Sequence, residues 1–596
     1  MYRRHRSSLC GGFLWRFLVV EQGTDVREVE WQFDALDLRP VARWLDCAAG
    51  SENGGSNDRL AGFSVVRQDN RRLEDLYLDT ENWSVFRAGY ALRVRRKGDG
   101  FEATCKRLDA VSADGPTVRR EVSEPLSDAD PGLLGTSDGP VGRFVAALSG
   151  GEPLKTLFRV ETDRTTYRIT ASAPPDAGDG PSSPSPDTEL VAELALDRTG
   201  IPVEGEREPV RLRRVELEVK SGSPEVFEPF VERLAGEFRL SPASASKFEA
   251  GVIGLDLDPP GPPDLGSDEV SSDMSAGELA FAVLRKQFRL FLLHEPGTRL
   301  GEDPEELHDM RVASRRMRAA MKVFEGVLPL RAARFREELK WIAASLGEVR
   351  DLDVQLEGLE DLVPKGSGAS PGGEKQLAEL SGVLLARREA ARRRMLRTLD
   401  SGRYGRFVES FSEFLRRGPS GRSVGAGRPA LVAGPELVWR YRHKVFKKGD
   451  GISPGSPAED YHELRKRGKR LRYTLEFLSD LYGKPAREAI AVLKSFQDVL
   501  GEHQDLEVAA AQLRELAPGS GSVKGPDGPV SPRTFFFMGT IAARCEARAE
   551  EVRAAFPEVY ARMRRAKGKK SPWAKLDREM ERLRAAAERQ ASEREA

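Results

Sequence analysis

The feature that most constrains this chain is a long-range repeat. HDMRVASRRMRAAMKVF begins at His308, and YHELRKRGKRLRYTLEFL places its histidine at 462, an offset of 154 residues. LKWIAASLGEVRDLD, from Leu339, and LKSFQDVLGEHQDLE, from Leu493, match at the same offset. Two separate matches in one register imply a duplicated unit. Apolar residues recur in both at helical spacing, so the duplication predicts a pseudo-symmetric pair of helical bundles.

The repeated helix carries two faces. His308, Arg311, Arg315, Arg318 and Lys322 step by three and four, so they share one side. Met310, Met317, Met321 and Phe324 form another, suited to a core. The second copy repeats the basic side with His462, Arg465, Lys469 and Arg472, while Arg316 and Arg470 add charge nearby. No acid lies between Arg311 and Lys322, so i,i+4 pairing cannot neutralise the stripe. Asp351, Asp353, Asp505 and Glu507, elsewhere in the repeat, are its internal alternative partners. An external anion would relieve the same repulsion, and the arginine fork suits phosphate oxygens. A long polyphosphate fits two facing stripes better than a compact ligand. Nucleic acid is the rival polyanion. Stacking on bases wants exposed aromatics, and Tyr473 is the only aromatic in these stripes, so the inorganic polyanion is preferred.

The formal neutrality of the chain, 94 basic against 94 acidic residues, hides an asymmetry. Residues 276–596 hold 60 Lys and Arg against 46 Asp and Glu; residues 1–275 hold 34 against 48. The sign changes at LDLDPPGPPDLGSDEVSSDMS (255–275), which reads as the linker between two domains. Behind it lie helices expected over 276–294, 304–326, 330–362, 374–399, 402–416, 435–448, 458–481, 485–516, 533–556 and 572–592. Before it, VREVEWQF, DLYLDT, YALRVRRK, FEATCKRL, TVRREVSE, TTYRIT, LVAELALD and RRVELEVK alternate with period two. In many of these strands the alternating set is charged. Eight such strands suit a closed barrel with a polar lumen. ASAPPDAGDGPSSPSPD (171–187) reads as a loop inserted between strands.

Other classes are excluded. No run of about 18 apolar residues suggests a transmembrane helix. Four scattered cysteines form no CxxC pair or disulfide framework, which fits a reducing, cytoplasmic setting. The six histidines show no zinc-site spacing. MYRRHRSSLCGGFLWRFLVV has a basic start and an apolar stretch, but Arg16 interrupts it; residues 1–25 are expected to be an unstructured or over-called start. The basic RMRRAKGKKSPWAK (562–575), within a charged helical tail over 561–596, is read as a solvated helix end, with contact to nucleic acid as the alternative.

Two strands carry paired carboxylates: Glu28 with Glu30, and Glu216 with Glu218. A strand puts each pair on one face. Hard oxygen ligands of this kind suit Mg²⁺ or Mn²⁺. Arg93, Arg95, Lys106, Arg119, Arg164 and Lys220 supply cations for a multiply charged phosphate chain.

The doubled helical motif, each copy followed by LGExxDL (LGEVRDL, LGEHQDL), resembles the two halves of a CHAD domain over about 276–560. That resemblance implies two four-helix repeats around a basic channel that binds polyphosphate, with His308, Arg311, Arg315, Arg316, Arg318, Lys322, His462, Arg465, Lys469, Arg470 and Arg472 as its contacts. The strand half, through VREVEWQF, YLDTENWSVFRAGYALRVRRKG, FEATCKRL, VRREVSEPL, LFRVETDRTTY, ELALDRTG, VELEVKSG and SASKFEAG, resembles the CYTH, or triphosphate tunnel metalloenzyme, superfamily over about 26–254. The order of the two resembles bacterial inorganic triphosphatases.

The resemblance implies an α+β protein whose eight-stranded antiparallel tunnel hydrolyses inorganic triphosphate with Mg²⁺ or Mn²⁺. Glu28, Glu30, Glu193, Glu216 and Glu218 would serve metal, and Glu28, Glu30 and Glu218 catalysis. Arg93, Arg95, Lys106, Arg119, Arg164, Lys220 and Lys247 would hold substrate. Two strands leave the register open, Arg119 or Arg120 beside Glu121, and Arg159 or Arg164. Glu28 and Glu30 match the first positions of the family's ExExK signature, but Gln32 stands where the lysine belongs. That departure keeps two alternatives in view: a non-catalytic polyphosphate-binding adaptor that follows polyphosphate granules, and a tunnel acting on organic triphosphates, as a triphosphatase or adenylyl cyclase.

Overall fold

Period-two patterning in the first half and helical patterning in the second produce two compact units in the computed structural model, Met1–Gly261 and Pro262–Ala596. The structure describes residues 24–49, 62–108, 115–171, 190–203, 208–359, 373–420, 423, 425–515, 524–525, 528–564 and 571–595. The expected start over 1–25 falls outside them up to residue 23, as do residues 172–187 of the loop insertion, 364–372 before the fourth expected helix, and 565–570 of the basic tail.

In the first unit eight strands form one antiparallel sheet: β1 (Thr24–Asp34), β2 (Phe63–Thr80), β3 (Tyr90–Lys97), β4 (Gly100–Arg107), β5 (Thr117–Leu126), β6 (Leu154–Ala171), β7 (Leu190–Ile201) and β8 (Val210–Ser221). The order β5-β4-β3-β2-β6-β7-β8-β1 is closed by a β1–β5 pairing, so the sheet is a barrel. β2 and β6 run much further than the alternating segments DLYLDT and TTYRIT indicated: β2 is exposed from Val66 to Arg72, and β6 carries buried Phe158 and Val160 ahead of TTYRIT. A two-residue strand, Ser241–Pro242, adds to the edge of β1.

Six helices dress this barrel: α1 (Arg39–Ala49), α2 (Ser84–Arg87), α3 (Pro131–Gly135), α4 (Pro140–Ser149), α5 (Glu228–Phe238) and α6 (Lys247–Gly254). Trp31, Tyr167, Ile169, Leu194, Val215 and Leu217 point outward from the strands. They are buried under Val41 and Leu45 of α1 and Phe230 and Leu234 of α5. The opposite side chains of the same strands are charged and face the lumen. A second apolar cluster of Tyr77, Trp83, Ala91, Phe158, Val160 and Phe248 plugs the barrel with α6. A Cβ on Gly251 would lie 2.3 Å from the Phe158 ring, so only glycine lets α6 seat there. Asp79, the acid of the YLDT motif, accepts backbone bonds from Val85 at 3.0 Å and Phe86 at 2.8 Å and so starts α2; it is a structural cap.

The second unit is helical: α7 (Ala276–Leu293), α8 (Glu295–Leu300), α9 (Pro304–Val323), α10 (Ala332–Leu359), α11 (Gly373–Leu399), α12 (Gly402–Arg417), α13 (Ala430–Gly449), α14 (Ala458–Phe477), α15 (Ser479–Glu515), α16 (Pro532–Arg564) and α17 (Pro572–Glu595). The 154-residue offset carries α7 onto α13, α9 onto α14, α10 onto the part of α15 after its break at Gly483, and α11 onto α16. Gly483 has φ 57° and Pro485 follows, which interrupts the helix between the copies of the motif. Each four-helix repeat has a fifth helix packed back on it, α12 against α7 and α10, and α17 against α13 and α15.

Two sequence expectations shift. The segment over 255–275 is not a free linker throughout: Leu265 is buried in the helical core, and Asp268 pairs with Arg289 at 2.6 Å. The segment over 561–596 is likewise no detached tail. Trp573, Leu576 and Met580 join the same core, because α17 has an apolar face as well as charges.

Candidate functional site

Strand register decides which charges meet inside the barrel. Glu28 lies opposite Arg119, and Glu30 opposite Thr117, across β1–β5. On the other side of β1, Glu30 faces Glu218 and Gln32 faces Glu216. Glu218 in turn faces Glu193 across β7–β8. Arg93 faces Thr104, and Lys106 faces Glu121. One lumen thus holds every tunnel residue expected from the sequence, with Lys247 added from the start of α6.

The lumen charges form two clusters. In the first, Lys106 Nζ lies 2.7 Å from Glu28 and 2.9 Å from Glu30, with Glu121 at 3.9 Å. Arg119 reaches Glu30 at 3.4 Å, and the Gln32 amide donates to Glu30 at 3.0 Å. Burial opposes the charge on Lys106, but Glu30 and Glu28 override it and raise its pKa. Among the described residues Arg93 makes one ion pair, with Glu121 at 3.9 Å, besides the charge of Asp75 nearby, and its buried Nε has no hydrogen-bond partner. It is therefore the least satisfied cation of the cluster.

In the second cluster, Arg164 donates two bonds to Asp197, at 2.7 and 2.6 Å, and contacts Glu216. Lys247 bonds Asp197 and lies 3.1 Å from Glu216. Burial would keep Glu216 protonated, but Lys247 and Arg164 hold its carboxyl well below the usual range. Glu218 behaves oppositely. Burial pushes its carboxyl up and the nearby Glu28 charge adds to it, although Lys220 bonds it at 2.6 Å. Arg95 is held bidentately by Asp75 at 2.6 and 2.8 Å.

The open registers resolve. Arg119 faces the lumen, whereas Arg120 turns outward to Asp25 at 2.7 Å. Arg164 is the lumen arginine, and Arg159 sits on the outside with Glu74 at 2.9 Å. Asp75 and Asp197 were not singled out from the sequence. Asp197 shares the alternating face of Glu193, which was the signal available; Asp75 is revealed only by its register with Arg95.

Carboxylates at 28, 30, 193 and 218 occupy neighbouring positions on three adjacent strands, a donor set that suits a hard divalent cation. Glu28 and Glu30 turn to Lys106 and Glu218 to Lys220, and among the described residues no three His, Cys, Asp or Glu converge to hold a metal. The raised Glu218 carboxyl marks the repulsion a divalent cation would relieve.

In the helical unit, α9 and α14 pack together with their basic residues meeting over Tyr473. Arg315, Arg316 and Arg472 lie 6.0, 5.9 and 5.4 Å from its ring centre. Arg311 pairs with Asp351 at 3.2 Å, and its repeat mate Arg465 with Asp505 at 3.6 Å. Lys322 turns to Glu325 at 2.5 Å, and Arg470 lies over Tyr441 on α13, away from the cluster. Arg318 sits near Glu337 and Arg336 of α10. His308 lies half-buried at the start of the stripe, and His462 contacts Gln504. Burial, together with Arg465, Arg315 and Arg472, holds Lys469 down to about 7. The buried Nε atoms of Arg315, Arg316, Arg465 and Arg472 have no hydrogen-bond partner. Arg316 and Arg472 also pair with Glu476, at 2.9 and 3.6 Å.

Comparison with known proteins agrees with both halves. The CYTH domain model matches residues 52–250, and the CHAD domain model residues 282–514. The chain carries a CYTH domain followed by a CHAD domain. The CYTH–CHAD chain is 24% identical over 495 residues to two uncharacterized proteins of Mycobacterium tuberculosis, covering 80% of this chain and 88% of theirs. Among solved structures, the CHAD domain from the plant Ricinus communis shares 25% identity, with a TM-score of 0.42, over 51% of this chain and 96% of that one. PptA from Streptomyces chartreusis shares 22%, with a TM-score of 0.38, over 48% of this chain and 99% of that one. The CYTH half is a closed antiparallel barrel with a charged lumen, and among the described residues no helix is long and apolar enough to cross a membrane.

Proposed function

We propose that the CYTH tunnel hydrolyses inorganic triphosphate and that the CHAD unit binds polyphosphate. The observation that carries the first half is the meeting of Glu28, Glu30 and Glu218 with Arg93, Lys106 and Arg119 inside one closed barrel. Arg93, with an unmatched Nε, is placed to bind a phosphate oxygen; Lys106 and Arg119 can exchange carboxylate contacts for phosphate ones. Arg95, Arg164 and Lys247, bound to Asp75, Asp197 and Glu216, hold the wall and its potential in place. Lys220, at the exposed end of β8, meets the outer part of the chain. Glu28, Glu30, Glu193 and Glu218 would hold Mg²⁺ or Mn²⁺, with Glu216 tied to its cations behind them. When bound, such an ion neutralises phosphate charge and acidifies water. A carboxylate of this lumen, with Glu218 opposite Glu30 as the candidate by position, would take the proton of the attacking water. Positioning and charge neutralisation supply most of the rate in such transfers.

The test is phosphate release from tripolyphosphate by the full chain, with and without Mg²⁺ or Mn²⁺. Metal-dependent release that Glu28→Ala abolishes supports the assignment; equal release from that variant discards it. One observation favours a second reading, binding without turnover: Gln32 supplies no cation, and its buried Oε1 has no partner. Tripolyphosphate affinity with no metal-dependent release selects that reading.

For the CHAD unit, Arg311, Arg315, Arg465 and Lys469 form the contact set, with His308 and His462 at its entry. Tyr473 is buried, so the stacking that single-stranded nucleic acid exploits has no exposed ring at this site. Binding of polyphosphate that Arg315→Gln weakens, set beside single-stranded nucleic acid of equal charge, tests this half.

A further inference from the structure

The duplication is broken at one position that matters. Lys322 of the first copy corresponds, 154 residues on, to Glu476 of the second. Glu476 is mostly buried, 21% exposed, at the junction of α9 and α14. Its two oxygens divide between the helices: Oε2 accepts from Arg316 Nη2 at 2.9 Å, and Oε1 lies 3.6 Å from Arg472 Nε. A carboxylate bridging guanidinium groups from two facing helices occupies the place a phosphate group would take.

We infer that Glu476 is an internal anion that ends the phosphate-binding tract of the CHAD unit, leaving it Arg311, Arg315, Arg465 and Lys469 and withholding Arg316 and Arg472. The inference rests on the polyphosphate reading above. The acids on the open side differ in kind: Asp351 and Asp505 are 58% and 66% exposed, at 3.2 and 3.6 Å from their arginines, and a polyanion can displace them into water. Glu476 is only 21% exposed and is shared between cations of two helices beside the Tyr473 ring, so it is held where Asp351 and Asp505 are free to turn away. The tract therefore has a stop, and the number of phosphates it covers is set by one side chain.

The test uses the full chain and polyphosphates of graded, defined length. In the wild type, affinity should stop growing at a shorter length than in Glu476→Gln, and the variant should bind long chains about tenfold more tightly, the effect of one charge-assisted hydrogen bond released for use. The double variant Glu476→Gln with Arg316→Gln should lose that gain. Unchanged or weaker binding by Glu476→Gln overturns the inference. A readout without substitution stands beside it: polyphosphate should protect Arg315 and Arg465 from an arginine-modifying dicarbonyl and leave the reactivity of Arg316 as it was. Equal protection of Arg316 and Arg315 also overturns it. Wild-type binding that Arg315→Gln weakens, without either Glu476 effect, sinks the stop alone; no wild-type affinity at any length sinks the polyphosphate reading and the stop together.

Discussion

Glu30 and Glu218 stand directly opposite each other on neighbouring strands of the barrel. Like charges in that position destabilise a sheet, and Lys106 and Lys220 only partly answer them. A divalent cation should therefore stabilise the tunnel. Mg²⁺ or Mn²⁺ at about 100 times its Kd should add about 2.7 kcal/mol, seen as a higher midpoint for the unfolding of the CYTH unit. Glu218→Gln should lose most of that shift. The same shift in wild type and variant would remove Glu218 from the metal set.

Gln32→Lys restores a cation between Glu30 and Glu216 and removes a buried amide oxygen that has no partner. Unmatched groups of this kind cost about 1–3 kcal/mol. The variant should fold at least as stably as the wild type and should turn over tripolyphosphate faster, by about tenfold or more. Initial-rate measurement at saturating metal checks this; a slower variant would mean that the glutamine is the working residue.

Lys247→Met leaves Arg164 as the cation paired directly with Asp197 and Glu216 among the described residues. Both Lys247 and Asp197 are buried, and removing one partner of a buried pair costs about 3–5 kcal/mol. Urea denaturation at unchanged m would show it, and a loss under about 1 kcal/mol would mean the cluster is hydrated. The pH response has a definite sign. Glu216 is held below its ordinary value, so its stabilising effect is present above about 4.5 and is lost as pH falls through its lower folded pKa. Without Lys247 that loss should begin at higher pH.

Polyphosphate binding by the CHAD unit should take up a proton. Lys469 has a pKa of about 7 in the free protein, and a bound polyanion raises it toward its ordinary value. Above pH 7 affinity should therefore fall as pH rises, until the bound-state pKa is passed. Calorimetry at pH 8 in buffers of different ionisation enthalpy measures the uptake. Lys469→Met should abolish it; equal uptake by that variant would place the proton elsewhere.

The helical duplication was legible because one offset, read from two motifs, carries all four helices of each repeat. Met310, Met317 and Met321 were read as core from spacing, and they are buried. The lumen strands were legible from alternating charge, since an outward face of Trp31, Leu194 and Leu217 must be covered. What spacing could not show was who answers whom. Asp197 takes Arg164 and Lys247, and Asp75 takes Arg95, through strand registers that no local pattern encodes. Glu476 escaped notice because it follows the stripe at the spacing of an ordinary i,i+4 partner of Arg472; its bond to Arg316 spans 160 residues.

Late docking of α17 has a consequence for biosynthesis. Trp439 on α13 bonds Asp577 on α17, 138 residues later, and Phe446 packs on Trp573. At about 5–20 residues per second, a ribosome leaves that aromatic side of α13 uncovered for roughly 7–28 seconds. During that interval the nascent repeat offers greasy surface to chaperones and to neighbouring chains.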